Sequence, residues 1–299
     1  MLQLVYIMYD MDWNIIKGKW YKNEYRIIKP LGKGGIGKIY LAAHKKRGLV
    51  ALKLSKSMLS ITREYDTIKK YKDKHFVPVV YELDDWESSG ETYHFFAMEY
   101  IKGHNLTEAM KRYMPLELKV KLFMIILSII SDINEEGLIY SDIKHENIMV
   151  DYNNLSIRFV DFGSLIPIGE SIKEYTPLYD RYSWGLGSRT ADLTYQVFSA
   201  AVLFTTMLIG FIHKVDKDSI AAIMKELDKN NIPKGLSVLI LKALKGEIEN
   251  CDIFLRRLRN VDLDVRKNTI SLSKLLDMII AFLTIILGVV LIGIRFHSS

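Results

Sequence analysis

Hydrophobic and polar positions follow different patterns in the two halves of the chain. Over residues 25–100, short apolar runs alternate with turn residues, which predicts a small antiparallel β-sheet. Residues 60–73 instead place four apolar side chains at helical spacing and predict one helix beside that sheet. Farther along, the pattern predicts long helices at Leu116–Asn134, Leu193–Phe211 and Leu236–Leu244. We therefore expect an α+β protein with a β-rich lobe before an α-rich lobe.

An almost uncharged apolar run lies near the C-terminus. Residues 275–294 contain one charge, Asp277, and twenty helical residues are long enough to span a bilayer. A buried helix of a globular domain is the alternative, but such a helix usually shows a polar stripe. More basic side chains precede the run than follow it, which predicts that the N-terminal part faces the cytoplasm. The sequence predicts a single-pass protein of the cell membrane, in contact with the lipid bilayer.

The amino-acid composition excludes several classes of protein. The 299 residues are 49% hydrophobic and 25% charged, which indicates a folded protein. The single cysteine, Cys251, excludes a disulfide framework and any multi-cysteine metal site. The net charge is +6, but the 41 basic and 35 acidic residues are mixed along the chain, so we expect no nucleic-acid partner.

A glycine-rich turn follows the first predicted strand. Gly32, Gly34 and Gly37 have the spacing G-x-G-x-x-G, which dinucleotide-binding loops share. Those loops open a helix, whereas residues 38–42 here read as a strand, so the turn predicts a hairpin whose backbone N–H groups contact phosphates. Lys53 ends the next buried strand. A glutamate on the predicted helix, Glu64, is placed to pair with it.

A second group of polar residues lies in the α-rich half. Asp142 and Asn147 are five positions apart, and Asp161-Phe162-Gly163 follows after a predicted hairpin. Asp142 is suited to accept a hydroxyl proton, and Lys144 to neutralise a phosphoryl group. Asn147 and Asp161 carry the oxygen ligands that Mg²⁺ prefers. Together with the glycine-rich turn, these residues predict phosphoryl transfer.

Over roughly residues 25–260, these motifs resemble those of the bacterial eukaryotic-like (Hanks-type) serine/threonine protein kinases. The resemblance implies a bilobal kinase fold, ATP and Mg²⁺ (or Mn²⁺) as cofactors, and protein hydroxyls as substrates. It implies catalytic roles for Asp142, Lys144, Lys53 and Glu64, and metal binding by Asn147 and Asp161. It implies ATP contacts at Gly32, Lys33, Gly34, Gly35, Gly37, Ile39, Ala51, Lys53, the gatekeeper Met98, and the hinge residues Glu99 and Ile101.

The same resemblance sets the expected organisation of the chain. We predict an N-terminal extension at 1–24, small and large lobes at 25–100 and 101–262, a juxtamembrane linker at 263–274, a transmembrane helix at 275–294, and a tail at 295–299. The resemblance also suggests that the Thr176 hydroxyl lies near Asp142 and Lys144.

Several positions depart from the family pattern. The H-R-D motif reads Tyr140-Ser141-Asp142, so the arginine that binds a phosphorylated loop is absent. The A-P-E motif falls on residues 181–183, which lack the glutamate, and its usual arginine partner falls near Asn250 or Cys251, neither of which is an arginine. Gln196 replaces an aspartate, and the sequence alone does not decide whether Asp192, one turn earlier, compensates.

These departures keep three hypotheses open. The leading one is a membrane-anchored serine/threonine kinase with its kinase domain in the cytoplasm. The second is a membrane-tethered pseudokinase scaffold that binds nucleotide or partners without turnover. The third, less favoured, is a small-molecule kinase.

Overall fold

The computed structural model describes residues 15–33, 37–151, 156–210, 212, 215–216 and 218–263. Its first lobe contains a six-stranded antiparallel sheet with strand order β1-β2-β3-β4-β6-β5. The strands are β1 (Ile15–Lys17), β2 (Glu24–Lys33), β3 (Lys38–His44), β4 (Gly48–Ser55), β5 (Val80–Ser88) and β6 (Glu91–Glu99). The predicted small antiparallel sheet is therefore confirmed.

Helix α1 (Met58–Lys70) packs on this sheet. It begins after Ser57, whose hydroxyl accepts a hydrogen bond from the Ser60 N–H. Ile61, Glu64 and Ile68 recur at spacings of three and four and are fully buried. The helix predicted for this half of the chain is present, with a glutamate on its buried face.

The small-lobe sheet begins before the predicted boundary at residue 25, because β1 pairs with β2. The chain then crosses to the far edge of the sheet, where the Lys19 N–H donates to the Asp85 carbonyl at 2.7 Å. The Trp20 N–H donates to buried Asp84 at 2.8 Å. Residues 15–24 are thus part of the lobe and not an extension, and a three-residue strand was too short for its pattern to reveal.

The second lobe is helical. Its helices are α2 (Leu106–Met110), α3 (Leu116–Glu135), α4 (Leu193–Ile209), α5 (Ser219–Lys229), α6 (Lys234–Leu244) and α7 (Cys251–Arg259). Helix α4 is buried along nearly its whole length. Phe204 of α4 stacks on Phe123 of α3 with ring centroids 4.1 Å apart. The most apolar helix of the lobe therefore lies at its centre.

Two small ladders place the candidate catalytic loops side by side. Strands β7 (His104–Asn105), β9 (Ile148–Asp151) and β10 (Ser156–Phe159) form one, and β8 (Leu138–Tyr140) pairs with β11 (Leu165–Pro167) in the other. The Ser141 N–H donates to the Ser164 carbonyl at 3.1 Å, and the Val160 N–H donates to the Asn147 carbonyl at 3.0 Å. The loop after β8 is thereby tied to the loop after β10.

The predicted transmembrane helix at 275–294 lies outside the described residues, as does most of the predicted linker. Within the part of the chain that the structure does describe, none of the helices combines the length and the apolar character that a membrane span requires.

Candidate active site

Lys53 and Glu64 form a buried ion pair at the back of the site. The Lys53 Nζ lies 2.6 Å from Oε1 and 2.5 Å from Oε2 of Glu64, and both side chains are almost fully buried. Burial lowers the pKa of Lys53, but the carboxylates of Glu64 and Asp161 more than offset this, so its pKa is raised overall. The lysine therefore carries its charge at neutral pH, and the predicted pair is confirmed.

Asp161 connects this pair to the large lobe. Its Oδ1 lies 3.5 Å from Lys53 Nζ and accepts a hydrogen bond from the Gly163 N–H at 3.2 Å. Tyr140 supports the same residue from below, because its hydroxyl donates to the Asp161 carbonyl at 2.5 Å. The tyrosine that stands in the family's histidine position thus holds the loop of the candidate metal ligand Asp161 in place.

Asp142 lies at the centre of the large-lobe part of the site. One carboxylate oxygen forms an ion pair with Lys144, and the other accepts a hydrogen bond from the Thr176 hydroxyl at 2.7 Å. This confirms the predicted position of the Thr176 hydroxyl. The Asp142 carboxylate thus contacts one cation and one hydroxyl. A substrate hydroxyl would bind this carboxylate, and a transferring phosphoryl group would lie beside Lys144.

The donor set formed by Asn147 and Asp161 fits magnesium. The Asn147 side chain donates through Nδ2 to the Asp142 carbonyl at 3.0 Å, and this bond fixes the amide beside Asp142. Asp161 is partly exposed and presents a carboxylate beside Lys53. An amide oxygen and a carboxylate are hard ligands of the kind that Mg²⁺ takes. The structure brings these two predicted ligands to adjoining loops.

The structure describes the residues that flank the glycine-rich turn. Gly32 and Lys33 end β2, and Gly37 precedes β3, whereas Gly34 and Gly35 lie outside the described residues. A Cβ at Gly37 would lie 2.1 Å from the Leu54 carbonyl oxygen of β4, while a Cβ at Gly32 would meet no atom within 4 Å. Glycine at 37 is therefore required by the neighbouring strand.

The predicted adenine-binding residues lie on adjacent strands. Ala51 of β4 pairs with Met98 of β6, and both are buried, while Ile39 of β3 pairs with Lys53. Ile101 follows the end of β6 and is half-buried. Ile39, Ala51 and Met98 thus lie on three neighbouring strands of one sheet, and Ile101 follows the last of them.

Sequence reasoning missed an ion pair at that hinge. Arg158 of β10 donates to both carboxylate oxygens of Glu99, at 2.6 and 3.3 Å, and to the Val77 carbonyl at 2.7 Å. The pair joins the end of the small-lobe sheet to the large lobe. The two residues are 59 positions apart, so no local pattern indicates the contact.

Gln196 itself takes the place of the aspartate that the family resemblance led us to expect. It is fully buried on α4; its Oε1 accepts from the Tyr140 N–H at 2.7 Å and its Nε2 donates to the Tyr140 carbonyl at 3.3 Å. Asp192 instead caps α4 and pairs with Arg181 at 2.8 Å. Of the two possibilities left open by the sequence, the structure shows that Asp192 does not serve the Tyr140 backbone, because its carboxylate caps α4 and binds Arg181.

Ser141 contacts the segment that follows Asp161. Its buried hydroxyl lies 2.9 Å from the Ser164 carbonyl and 3.1 Å from the Glu174 carbonyl. Where the family pattern has an arginine that binds a phosphate, this chain has a neutral hydroxyl that contacts the segment's backbone directly.

The site thus brings together a lysine from a strand and a glutamate from a helix of the small lobe with the Asp161 carboxylate from a loop of the large lobe. The protein kinase domain family matches residues 25–274. The chain belongs to the protein kinase family. Its bilobal fold and its Lys53–Glu64 pair are those expected of that family.

Named relatives agree with this placement. The chain is 36% identical over 228 residues to the serine/threonine-protein kinase YabT of Bacillus subtilis, covering 73% of this chain and 62% of the relative. It is 22% identical over 257 residues to the probable serine/threonine-protein kinase PknB of Lactococcus lactis, covering 78% of this chain and 40% of the relative. The chain thus spans less than two thirds of either relative.

A solved structure supports the fold. The Cydia pomonella granulovirus kinase PK-1 matches with a TM-score of 0.61 and 15% identity, over 78% of this chain and 93% of that chain. At this identity the likeness concerns the fold alone.

Proposed function

We propose that this protein is a serine/threonine protein kinase that transfers the γ-phosphoryl group of ATP to protein hydroxyls. One observation carries the proposal, which is the contact of Asp142 with both Lys144 and the Thr176 hydroxyl. The loop of Asp142 is hydrogen-bonded to the loop of Asp161, and Asp161 in turn contacts Lys53 of the Lys53–Glu64 pair. A charged base and two cations at one interface are what phosphoryl transfer needs.

Each residue then has a defined task. Asp142 orients the substrate hydroxyl and accepts its proton, as it now accepts the Thr176 hydroxyl. Lys53 and Lys144 offset charge on the phosphates, and Glu64 holds Lys53 in position. Asn147 and Asp161 would hold magnesium, which when bound neutralises phosphate charge. Catalysis on this account is positioning together with charge stabilisation.

The first experiment asks whether transfer occurs and to which group. The purified full chain is incubated with γ-labelled ATP and a generic protein substrate, with Mg²⁺, Mn²⁺ or chelator, and the labelled amino acids are identified. We expect metal-dependent label on serine and threonine. Nucleotide binding without any transfer would favour the pseudokinase hypothesis, and label on a small molecule alone would favour the third.

We also propose that residues 275–294 anchor the protein in the cell membrane, with the kinase domain in the cytoplasm. The support is the apolar run itself and the basic residues before it. The full-length chain should remain with membranes after a carbonate wash, whereas a chain ending at Asn268 should be released. Recovery of the full-length chain in the soluble fraction without detergent would contradict the anchor.

A further inference from the structure

The activation segment after Asp161 wraps around one arginine of the loop that precedes α4. The Ile172 N–H donates to the Arg189 carbonyl at 2.9 Å, and the neighbouring Gly169 N–H donates to the Ala191 carbonyl at 2.8 Å. Ser171 bridges Thr190 in the same short ladder. The backbone around Arg189 therefore fixes the early part of the segment.

The side chain of Arg189 reaches the later part. Its Nε donates to Asp180 at 2.9 Å, and its Nη2 lies 3.3 Å from the Ser183 hydroxyl. The guanidinium lies between two rings, 3.9 Å from the centroid of Tyr175 and 4.4 Å from that of Tyr182. We call Tyr175, Asp180, Tyr182, Ser183 and Arg189 the Arg189 cluster.

Asp180 is the buried partner in this cluster. It is fully buried, and it accepts hydrogen bonds from Arg189, the Ser183 N–H (3.0 Å), the Ser183 hydroxyl (2.6 Å) and the Tyr195 hydroxyl (3.1 Å). Tyr195 belongs to α4, so the carboxylate joins the segment to the central helix. A buried carboxylate is stable only when it is paired and hydrogen-bonded in this way.

The family's usual ion pair is missing at this point of the chain. Residues 181–183 supply no glutamate. Near the expected partner position, Asn250 caps α7 through the Ile253 N–H at 2.8 Å, and Cys251 is buried. Asp180 lies three residues before the position of the missing glutamate, and Arg189 follows nine positions after Asp180, in the loop before α4 and not near Asn250.

We infer that Asp180 and Arg189 form a positioning pair that replaces this ion pair and holds the activation segment ready for protein substrate. Tyr175 immediately precedes Thr176, whose hydroxyl bonds Asp142, and Asp180 follows it, so the cluster fixes the chain on both sides of Thr176. This inference rests on the proposed kinase function. The pair positions the protein substrate, and nucleotide binding depends instead on the residues of the small lobe.

The test compares Arg189→Met and Arg189→Lys with wild type. Arg189→Met removes the charge and the planar guanidinium group. Arg189→Lys keeps the charge, but a lysine cannot both stack on two rings and bond Asp180. The control is Arg256→Met, which breaks an exposed ion pair with Asp252 on α7. Measured are kcat and KM for protein substrate, the Kd for ATP, and protease cleavage within residues 169–183.

We expect Arg189→Met to lower kcat/KM for protein substrate at least tenfold and to open residues 169–183 to cleavage, with the ATP Kd within twofold of wild type. Arg189→Lys should lie between wild type and Arg189→Met, and Arg256→Met should match wild type. If Arg189→Met does not fold, the double variant Asp180→Leu/Arg189→Met removes both charges and should show the same loss.

Two results would overturn the inference: an unchanged kcat/KM, or an equal loss of ATP binding and transfer, which would indicate general damage to the fold. A wild-type chain without any transfer would instead contradict the proposed function. In that case the cleavage pattern alone decides whether Arg189 holds the segment, so the two failures are distinguishable.

Discussion

The contact between Gln196 and Tyr140 gives a prediction whose size follows from the structure. The change is Gln196→Met, which keeps the length of the side chain but removes its amide. Gln196 is fully buried and serves both backbone groups of Tyr140, at 2.7 and 3.3 Å. A buried backbone group that loses its partner costs roughly 1–3 kcal/mol. Because the second bond is long, we expect a total loss of about 2–4 kcal/mol in the free energy of unfolding.

The same change should also reduce catalysis. Tyr140 directly precedes the loop that carries Asp142, and its hydroxyl holds the Asp161 carbonyl. Releasing its backbone loosens both, so we expect phosphoryl transfer to fall at least tenfold. ATP affinity should change less, because Lys53 and Glu64 lie in the other lobe.

Urea unfolding and initial-rate measurements test this reasoning on one set of variants. Thr205→Val is the matched control, because Thr205 is also buried on α4 and its hydroxyl donates to the Ala201 carbonyl of the same helix. That control should stay within about 1 kcal/mol of wild type and retain transfer. A Gln196→Met chain with wild-type unfolding free energy and wild-type rate would refute the account.

Three further predictions concern metal, phosphate and the hinge. ATP should raise the melting temperature more with Mg²⁺ than with chelator, and Asp161→Ala should abolish the difference; equal stabilisation would argue against the metal site. The fully dephosphorylated chain should keep its transfer rate, as should Ser171→Ala, while Thr176→Ala loses activity and Thr176→Ser regains it; a required loop phosphate would contradict this. Glu99→Gln should lower the unfolding free energy in urea by about 1 kcal/mol by breaking the Arg158 pair; Arg158→Gln should lower it more, because it also removes the bond to the Val77 carbonyl, and unchanged midpoints would refute the hinge role.

Motifs that are local in sequence were the ones that could be predicted. Lys53 lies near the end of β4 and Glu64 follows on the next helix, eleven positions later, so a short stretch of chain suffices to place the pair. The Thr176 contact with Asp142 spans more of the chain, but the family resemblance supplied it.

Contacts made by replacement residues could not be predicted from pattern. Gln196 stands where the family pattern has an aspartate, and only the packing of α4 against β8 shows that its side chain bonds the Tyr140 backbone. Arg158 and Arg189 pair with residues that are 59 and nine positions away, through folds of the chain that no periodicity encodes. Tertiary placement, which depends on the whole core, decides these contacts.

The measurement that tests the central claim most directly is the single-turnover rate of γ-phosphoryl transfer by wild type, Asp142→Asn and Asp228→Asn. The last is a control on the exposed face of α5. We predict that Asp142→Asn binds ATP as wild type does but transfers at least a hundredfold more slowly, and that Asp228→Asn is unchanged. Undiminished transfer by Asp142→Asn would contradict the account.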